Sequence, residues 1–368
     1  MKKIIFIIVF IFLFSFPAHS ETAIDKELSE AIGTEDIKGS LDDNTADFLE
    51  QYGINPDSTD WVENLSAENV FKHITEFLKS GMKRPFKSGA ALIGIILIAS
   101  ALTSLGTDSG RFAPALYAAI LAGATIILGD MWQSITTTVS AIKGASVFML
   151  GFVPSFAAVT ALSGQTATSI SMSSLLLFAA EGISSFASFM VLPLTGSYLS
   201  LCLSEGVSPL IKGAGVSSAL KKLSNWAMSL ITVLFTGILG IQTAINSTAD
   251  SLGIKTAKFI VGTSVPVAGA ALSEAASTIY SSMSLLKSTV GMYGVVAICV
   301  IMLPILCELL IWRLTLNTCL AVASMFEIPK FADFIKAVDT VISVLVGMLL
   351  LIVGMFIICL TIVVTAGG

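Results

Sequence analysis

Carboxyl and amide side chains occur inside apolar segments of this chain, where a polar group needs a chemical reason to be present. Asp130, Glu181 and Glu274 are carboxylates, and Gln242 follows Asp130 at a distance of 112 positions. An ionisable group within a bilayer costs about 2.5–3.5 kcal/mol on insertion scales, so such groups often line ion or water pathways. We interpret these four residues as candidates for a polar, water-lined path.

Hydroxyl-rich segments accompany two of these carboxylates. Residues 163–174 precede Glu181 and are rich in Ser and Thr, and five further Ser or Thr residues lie between positions 277 and 284, after Glu274. Hydroxyl groups can line a hydrated path, but small Ser and Thr side chains also allow membrane helices to pack closely. From the sequence alone, both interpretations stay open.

Glu308 and Arg313 are close in sequence and flank Trp312. Tryptophan is enriched where a membrane meets water. We therefore predict an interfacial ion pair between Glu308 and Arg313, anchored by the indole ring.

The sequence offers little for catalysis or cofactor chemistry. The five cysteines lie in or beside apolar segments without metal-ligand spacing, and His73 is the only histidine outside the first twenty residues. No GxxxxGK[ST] nucleotide-binding loop is present. We predict that the chain is not an enzyme, needs no metal or cofactor and has no nucleic-acid partner.

Composition indicates a membrane protein. Hydrophobic residues make up 55% of the 368 residues and charged residues only 12%. Seven uncharged runs cover residues 88–107, 112–129, 144–180, 182–204, 223–249, 288–307 and 340–368. A membrane-spanning helix needs about 17–25 apolar residues, so each run is long enough to cross a bilayer. The predicted fold class is an all-α polytopic membrane protein.

The first residues predict export of the segment that follows them. A basic start at Met1–Lys3, an apolar core and the small residues Ala18 and Ser20 are typical of a signal peptide over residues 1–20. An uncleaved signal anchor is the alternative. Either way, the next segment begins on the extracytoplasmic side of the membrane.

That segment, over residues 21–85, is predicted to be an acidic extracytoplasmic arm. Residues 21–80 contain 15 Asp or Glu and 4 Lys or Arg, a net charge of −11. Apolar residues at helical spacing predict two or three short helices that lie on the membrane body or contact another protein. A solvated, partly disordered leader is the alternative.

A repeated pattern organises the membrane domain, residues 86–368. Val153-Pro154 and Val265-Pro266 are 112 positions apart, and each is followed by a Leu-Pro pair. The two units cover about residues 112–222 and 223–335, and a final helix covers 336–364. Duplicated hydrophobic units interrupted by Pro and Gly are typical of transporter-like or channel-like domains. We expect helix breaks that border a cavity at four positions: Pro154, Pro193, Pro266 and Pro304.

The topology depends on the segments around Pro154 and Pro266. If both segments re-enter and return, the chain has six full spans and the two units are parallel. If both cross fully, the two units are inverted relative to each other. The distribution of Lys and Arg mildly favours re-entrant segments, because positive charges concentrate on the cytoplasmic side.

Several segments resemble the stage III sporulation protein AE family. They are Gly-Phe-Val-Pro-Ser-Phe (151–156), Leu-Pro-Leu-Thr-Gly-Ser-Tyr-Leu (192–199), Leu-Lys-Lys-Leu-Ser-Asn-Trp (220–226), Phe-Thr-Gly-Ile-Leu-Gly-Ile-Gln-Thr (235–243) and the ending near 336–361. The likeness covers nearly the whole mature chain. It rests on the order and wording of these segments and not on a catalytic signature.

The resemblance implies a channel or export-gate subunit of a secretion-like complex between mother cell and forespore. It places the chain as a multi-pass protein of the outer forespore membrane, with its arm between the two membranes. The implied partners are other proteins of the same sporulation operon, including a secretion-type ATPase and ring-forming proteins. Contacts between copies of the chain are also compatible with the sequence. The alternatives are a stand-alone ion-coupled secondary transporter and a membrane scaffold without a pore.

Overall fold

The computed structural model describes residues 34–56, 61, 67–104, 113–207, 218–219, 222–242 and 269–365. These residues form helices joined by short turns, and they contain no strand. The expected all-α class is therefore confirmed. The predicted signal peptide, the Pro266 segment and the side chain of Glu274 lie outside what the structure describes.

Nine α-helices are described in chain order. They are α1 Thr34–Gly39, α2 Asp43–Gln51, α3 Ala67–Ser104, α4 Ala113–Leu162, α5 Thr166–Phe186, α6 Leu192–Val207, α7 Lys222–Gln242, α8 Gly269–Met325 and α9 Pro329–Thr365. A single π-helical turn, Ala187–Val191, joins α5 to α6 without interruption.

The helices α1 and α2 belong to the predicted acidic arm, and they pack on the membrane body. The Asp42 carboxylate caps α2 by accepting from the Thr45 amide at 3.3 Å and from the Thr45 hydroxyl at 2.6 Å. Ile37, Leu49 and Trp61 are almost fully buried and belong to the same hydrophobic core as the long helices. This part of the arm is therefore an ordered layer on the body.

Six helical segments are long and apolar enough to cross a membrane. They are Gly81–Ala101, Tyr117–Leu162, Thr166–Leu201, Lys222–Gln242, Met283–Met325 and Pro329–Val364. The protein is thus a multi-pass membrane protein by the length and composition of its helices.

Side-chain contacts show that α4 and α5 form an antiparallel hairpin. Ser146 Oγ donates to the Ala180 carbonyl at 2.9 Å, and Ser169 Oγ donates to the Ala157 carbonyl at 2.6 Å. The turn between the helices contains Gly164 with φ of 83°, a left-handed conformation that glycine adopts without steric cost. Hydroxyl groups thus lock the hairpin at two heights.

Glycines mark the closest helix crossings and show the direction of α8. A Cβ added to Gly294 would meet the Phe152 ring, and one added to Gly291 would meet Phe156 as well as Val364. Residue numbers therefore increase along α8 in the direction in which they decrease along α4, so the two helices are antiparallel. The end of α9 lies at this same level of the bundle.

Similar contacts place the remaining spans. A Cβ on Gly123 of α4 would meet Phe331 of α9 and Leu92 of α3. Near the other end of α4, Phe156 of α4 and Val364 of α9 both lie beside Gly291 of α8. The helices α4 and α9 therefore run in the same direction. Met228 of α7 lies against Gly347 of α9. The six spans alternate in direction along the chain, as six successive membrane crossings require.

The expected break at Pro154 is absent. Pro154 lies on the exposed surface of α4, and the helix continues to Leu162. The segment is continuous with the preceding part of α4. Phe148, Phe152 and Phe156 stack in a row, with ring centroids 5.3 Å apart, and all three are buried. This packing holds the helix on both sides of the proline, which offsets the hydrogen bond that proline cannot donate.

The other two predicted break positions that the structure describes also differ from the expectation. Pro304 lies inside the continuous helix α8. Pro193 follows the π-helical turn Ala187–Val191, so the irregularity there is one widened turn within a continuous rod. Neither proline interrupts the helical backbone.

Candidate functional site

Polar and charged side chains of four helices form contacts between helices in the bundle. We call this set the polar belt, and its members are Arg84, Ser88, Asp130, Ser134, Glu308, Arg313 and Asp339. They come from α3, α4, α8 and α9, and the contacts described below join them across helices. The belt contains three of the residues that the sequence analysis singled out: Asp130, Glu308 and Arg313.

Asp130 is held by a hydroxyl group. Ser88 Oγ of α3 donates to Asp130 Oδ2 at 2.5 Å, and Ser88 is buried. A short hydrogen bond to a carboxylate is among the stronger neutral-to-charged bonds in proteins. Asp130 therefore joins α3 to α4.

The predicted pair between Glu308 and Arg313 is not formed. Glu308 Oε1 instead lies 3.6 Å from Arg84 Nη1, and Ser134 Oγ donates to the same oxygen at 3.4 Å. Five residues of α-helix correspond to a rotation of about 140°, so Glu308 and Arg313 point to different sides of α8. Glu308 therefore connects α8 to α3 and α4.

Arg313 pairs with a residue that the sequence analysis did not select. Its Nε lies 3.2 Å from Asp339 Oδ1 of α9, and both side chains are about three-quarters buried. The predicted anchor Trp312 is fully buried in the core. Trp132 and Trp226 are exposed instead, at 51% and 61% exposure. The ion pair between Arg313 and Asp339 thus fixes the relative register of α8 and α9.

The three described candidates for a polar path do not converge at one place in the chain. Asp130 is in the belt, whereas Glu181 is exposed on α5, where Ser185 Oγ donates to it at 3.5 Å. Gln242 ends α7, and its Oε1 is buried without a hydrogen bond from the described residues. Nothing is described of the Glu274 side chain. The two described carboxylates therefore lie apart from each other.

A buried lysine forms a second polar site, which sequence reasoning did not select. Lys287 of α8 is 1% exposed, and its Nζ donates to Gln165 Oε1 at 3.2 Å. Gln165 is 3% exposed and lies in the turn between α4 and α5. The sequence signal was available, because Lys287 is a single charge directly before the uncharged run 288–307. Its partner could not be found from sequence, since the two residues are 122 positions apart.

Two small pockets lie between the described helices. Each has about 10 Å³ of free space, room for about one water molecule. One is lined mainly by apolar residues of α5, α7 and α9, and the other by residues of α6, α7 and α9. Among the described residues, no group of three His, Cys, Asp or Glu side chains is placed to hold a metal ion.

Most of this chain matches the sequence model of one protein family. The model of the family described as "Stage III sporulation protein AE (spore_III_AE)" matches residues 59–367. The chain belongs to the stage III sporulation protein AE family. The family is one of sporulation membrane proteins and is not a known enzyme family, so membership supports a role in sporulation.

One relative is Stage III sporulation protein AE of Bacillus subtilis (strain 168). It is 26% identical over 258 residues, which are 66% of this chain and 61% of the relative. The aligned part thus spans less than two thirds of the relative's length. No solved structure matches this member of the family.

Proposed function

We propose that this protein is a channel or export-gate subunit of a secretion-like complex between mother cell and forespore. It lies in the outer forespore membrane as a multi-pass protein, with its N-terminal arm on the extracytoplasmic side. Its partners are other proteins of the same sporulation operon, including an ATPase of secretion type and ring-forming proteins. The sporulation family supplies the biological setting of this proposal.

The length of the apolar helices is the observation that carries the proposal. The apolar part of α4 covers 46 residues, Tyr117–Leu162, which at 1.5 Å per residue is about 69 Å of helix. The hydrocarbon core of a bilayer is about 30 Å thick, and a tilt of 40° lengthens the path to only about 39 Å.

The parts of this body that lie beyond the lipid still expose large apolar side chains. Ile98 is 62% exposed towards one end of the bundle, and Ile170 is 70% exposed towards the other. Because one bilayer is too thin to cover both ends, other protein surfaces must cover the rest. A subunit of a larger membrane assembly meets this requirement, and a carrier working alone does not.

The passage in this proposal runs between subunits. Within the chain, two small pockets between the described helices each have room for about one water molecule. Asp130 is engaged by Ser88, and Glu181 faces outward from α5.

A vesicle experiment tests this function. The chain is affinity-tagged and purified from sporulating cells with its associated proteins, and separately from cells that produce it alone. Both preparations are reconstituted into liposomes loaded with the dye calcein. We expect calcein efflux from liposomes that contain the complex and none from those that contain the isolated chain.

The other outcomes select the alternatives. If a proton or sodium gradient drives uptake of a solute into liposomes that contain the isolated chain, the protein is a secondary transporter. If the complex assembles intact but neither preparation releases dye, the protein is a scaffold. Either result would overturn the channel proposal.

A further inference from the structure

We propose that the outer surface of the α4–α5 hairpin binds a second copy of this chain, with Lys143 of each copy pairing with Glu181 of the other. This contact goes beyond the proposed passage, because it does not depend on what the assembly conducts. Four observations on the hairpin support it.

The first observation is that two opposite charges are exposed on an apolar helical surface. Lys143 is on α4 and Glu181 is on α5, and both side chains are exposed. Val147 on α4 and Phe178 on α5 are 55% and 74% exposed. Within the described parts of the chain, neither charge forms an ion pair. Charges on a membrane-embedded surface are costly unless they are paired, so both side chains call for a partner.

The second observation is that the two charges lie at nearly the same height. Ser146 Oγ bonds to the Ala180 carbonyl and fixes the register of the two antiparallel helices. Lys143 is three residues before Ser146, and Glu181 is one residue after Ala180. At 1.5 Å per residue, both lie on the same side of this contact, about 3 Å apart along the axis. A neighbouring hairpin can therefore meet both charges at one level.

The third observation is that small residues stand beside the charges. Gly144 follows Lys143 and Gly182 follows Glu181 in sequence, and a Cβ added to either glycine would meet no atom within 4 Å. Small residues let helices in membranes approach closely. The open space beside both glycines leaves room for the backbone of another helix.

The fourth observation is charge complementarity, which identifies the partner as a second copy. A surface that carries one cation and one anion at equal height is complementary to itself. In an isologous contact, residue i of one copy contacts residue j of the other, and the reverse contact also forms. Lys143 and Glu181 can therefore both be paired by a single type of chain.

Charge reversal tests the contact in a spore-forming bacterium whose own copy of this protein has been deleted. Lys143→Glu and Glu181→Lys are produced singly, combined in one chain, and co-produced as two single-variant chains. We expect each single reversal to lower the yield of heat-resistant spores at least about tenfold, because like charges across an interface cost several kcal/mol. We expect the co-produced pair to return the yield to that of the unchanged chain, since the glutamate introduced in one copy then faces the lysine introduced in the other.

Co-production separates the proposal from a pair within one chain. The double variant should be rescued whether the pair lies within one chain or between two copies. Mixing two single variants should restore the yield only if the pair lies between copies. Rescue by the double variant without rescue by mixing would overturn the proposal. Lys336→Glu is the matched control, because Lys336 is also exposed but pairs with Asp333 on its own helix. We expect it to leave the yield within about twofold of normal, as exposed pairs contribute little.

Cross-linking gives a readout that does not depend on spores. One tagged chain carries Lys143→Cys and another carries Glu181→Cys, both without the native cysteines, and membranes are treated with copper phenanthroline. We expect a disulfide-linked dimer of twice the mass of the single chain in the same membranes. Gly182→Leu should abolish this dimer, whereas Gly237→Leu, at another glycine with open space around it, should not. A dimer band that is absent, or unchanged by Gly182→Leu, would contradict the contact.

Discussion

Lys287 Nζ lies 3.2 Å from Gln165 Oε1, and this hydrogen bond ties α8 to the turn between α4 and α5. Both side chains are almost completely buried. An ammonium group in such a place depends on each acceptor it can reach, because burying a charge without partners is costly. The bond therefore stabilises the contact between α8 and the α4–α5 hairpin.

The first prediction concerns the order of effects at this bond. Gln165→Leu removes an acceptor from a buried charge, so we expect it to lower stability by about 1.5–3 kcal/mol. Lys287→Met removes the charge and keeps an apolar stem, so we expect a smaller loss. The double variant should be more stable than Gln165→Leu alone, since it no longer leaves a buried charge without this acceptor. Thermal unfolding in detergent measures all three proteins, and a double variant less stable than Gln165→Leu would refute this account.

The second prediction concerns the closest crossing of α4 and α8. A Cβ at Gly294 would lie 2.5 Å from Phe152 Cζ and 2.9 Å from two other ring atoms. We expect Gly294→Ala to lower stability by about 1–3 kcal/mol, the usual cost of overpacking. Gly354→Ala is the control, because a Cβ there meets no atom within 4 Å. It should be neutral or stabilise α9 by up to about 1 kcal/mol.

Relief of the same clash provides a further check. Phe152→Leu is less bulky at the position that the new methyl group would occupy. Combining Phe152→Leu with Gly294→Ala should recover part of the loss in melting temperature that Gly294→Ala causes. Strictly additive losses in the two single variants would show that these side chains do not meet.

The third prediction tests which pair Glu308 forms. The structure places Glu308 beside Arg84 and places Arg313 beside Asp339. We expect Glu308→Arg to destabilise the protein and Arg84→Glu to restore stability in the double variant. Adding Arg313→Glu to Glu308→Arg should not restore it, because the two residues point to different sides of α8. Since the Arg84 side chain is 42% exposed, the recovered free energy should be about 1 kcal/mol or less.

The sequence was sufficient for the class of fold but not for the bounds of the spans. Seven uncharged runs became six spans because residues 112–129 and part of 144–180 are pieces of one helix, α4. The charges that separate these runs, Asp130 and Lys143, do not end the helix. Hydropathy reports where lipid is tolerated, but it does not report where a helix stops.

The contacts of the candidate site could not be read from the sequence. Spacing placed Glu308 and Arg313 near each other, but helix rotation separates their side chains, and both partners, Arg84 and Asp339, lie on other helices. The paired positions Asp130 and Gln242 suggested equal environments. Only Asp130 has a described hydrogen-bond partner. Such contacts depend on long-range packing, which the periodicity along one helix does not predict.

The last prediction concerns Pro154, where the expected break and the observed helix lead to opposite results. Proline in a helix interior costs about 3 kcal/mol, because it donates no hydrogen bond and its ring crowds the preceding turn. Since α4 is already helical through this position, Pro154→Ala adds an N–H that can donate to the Leu150 carbonyl. We expect the melting temperature in detergent to rise and spore formation to stay normal. Ala158→Pro is the reciprocal variant on the same exposed face, one turn further along α4, and it should lower the melting temperature. If Pro154→Ala instead abolished spore formation while the protein still accumulated in the membrane, bending of α4 at this proline would be required for function, and the continuous helix would not be the working state.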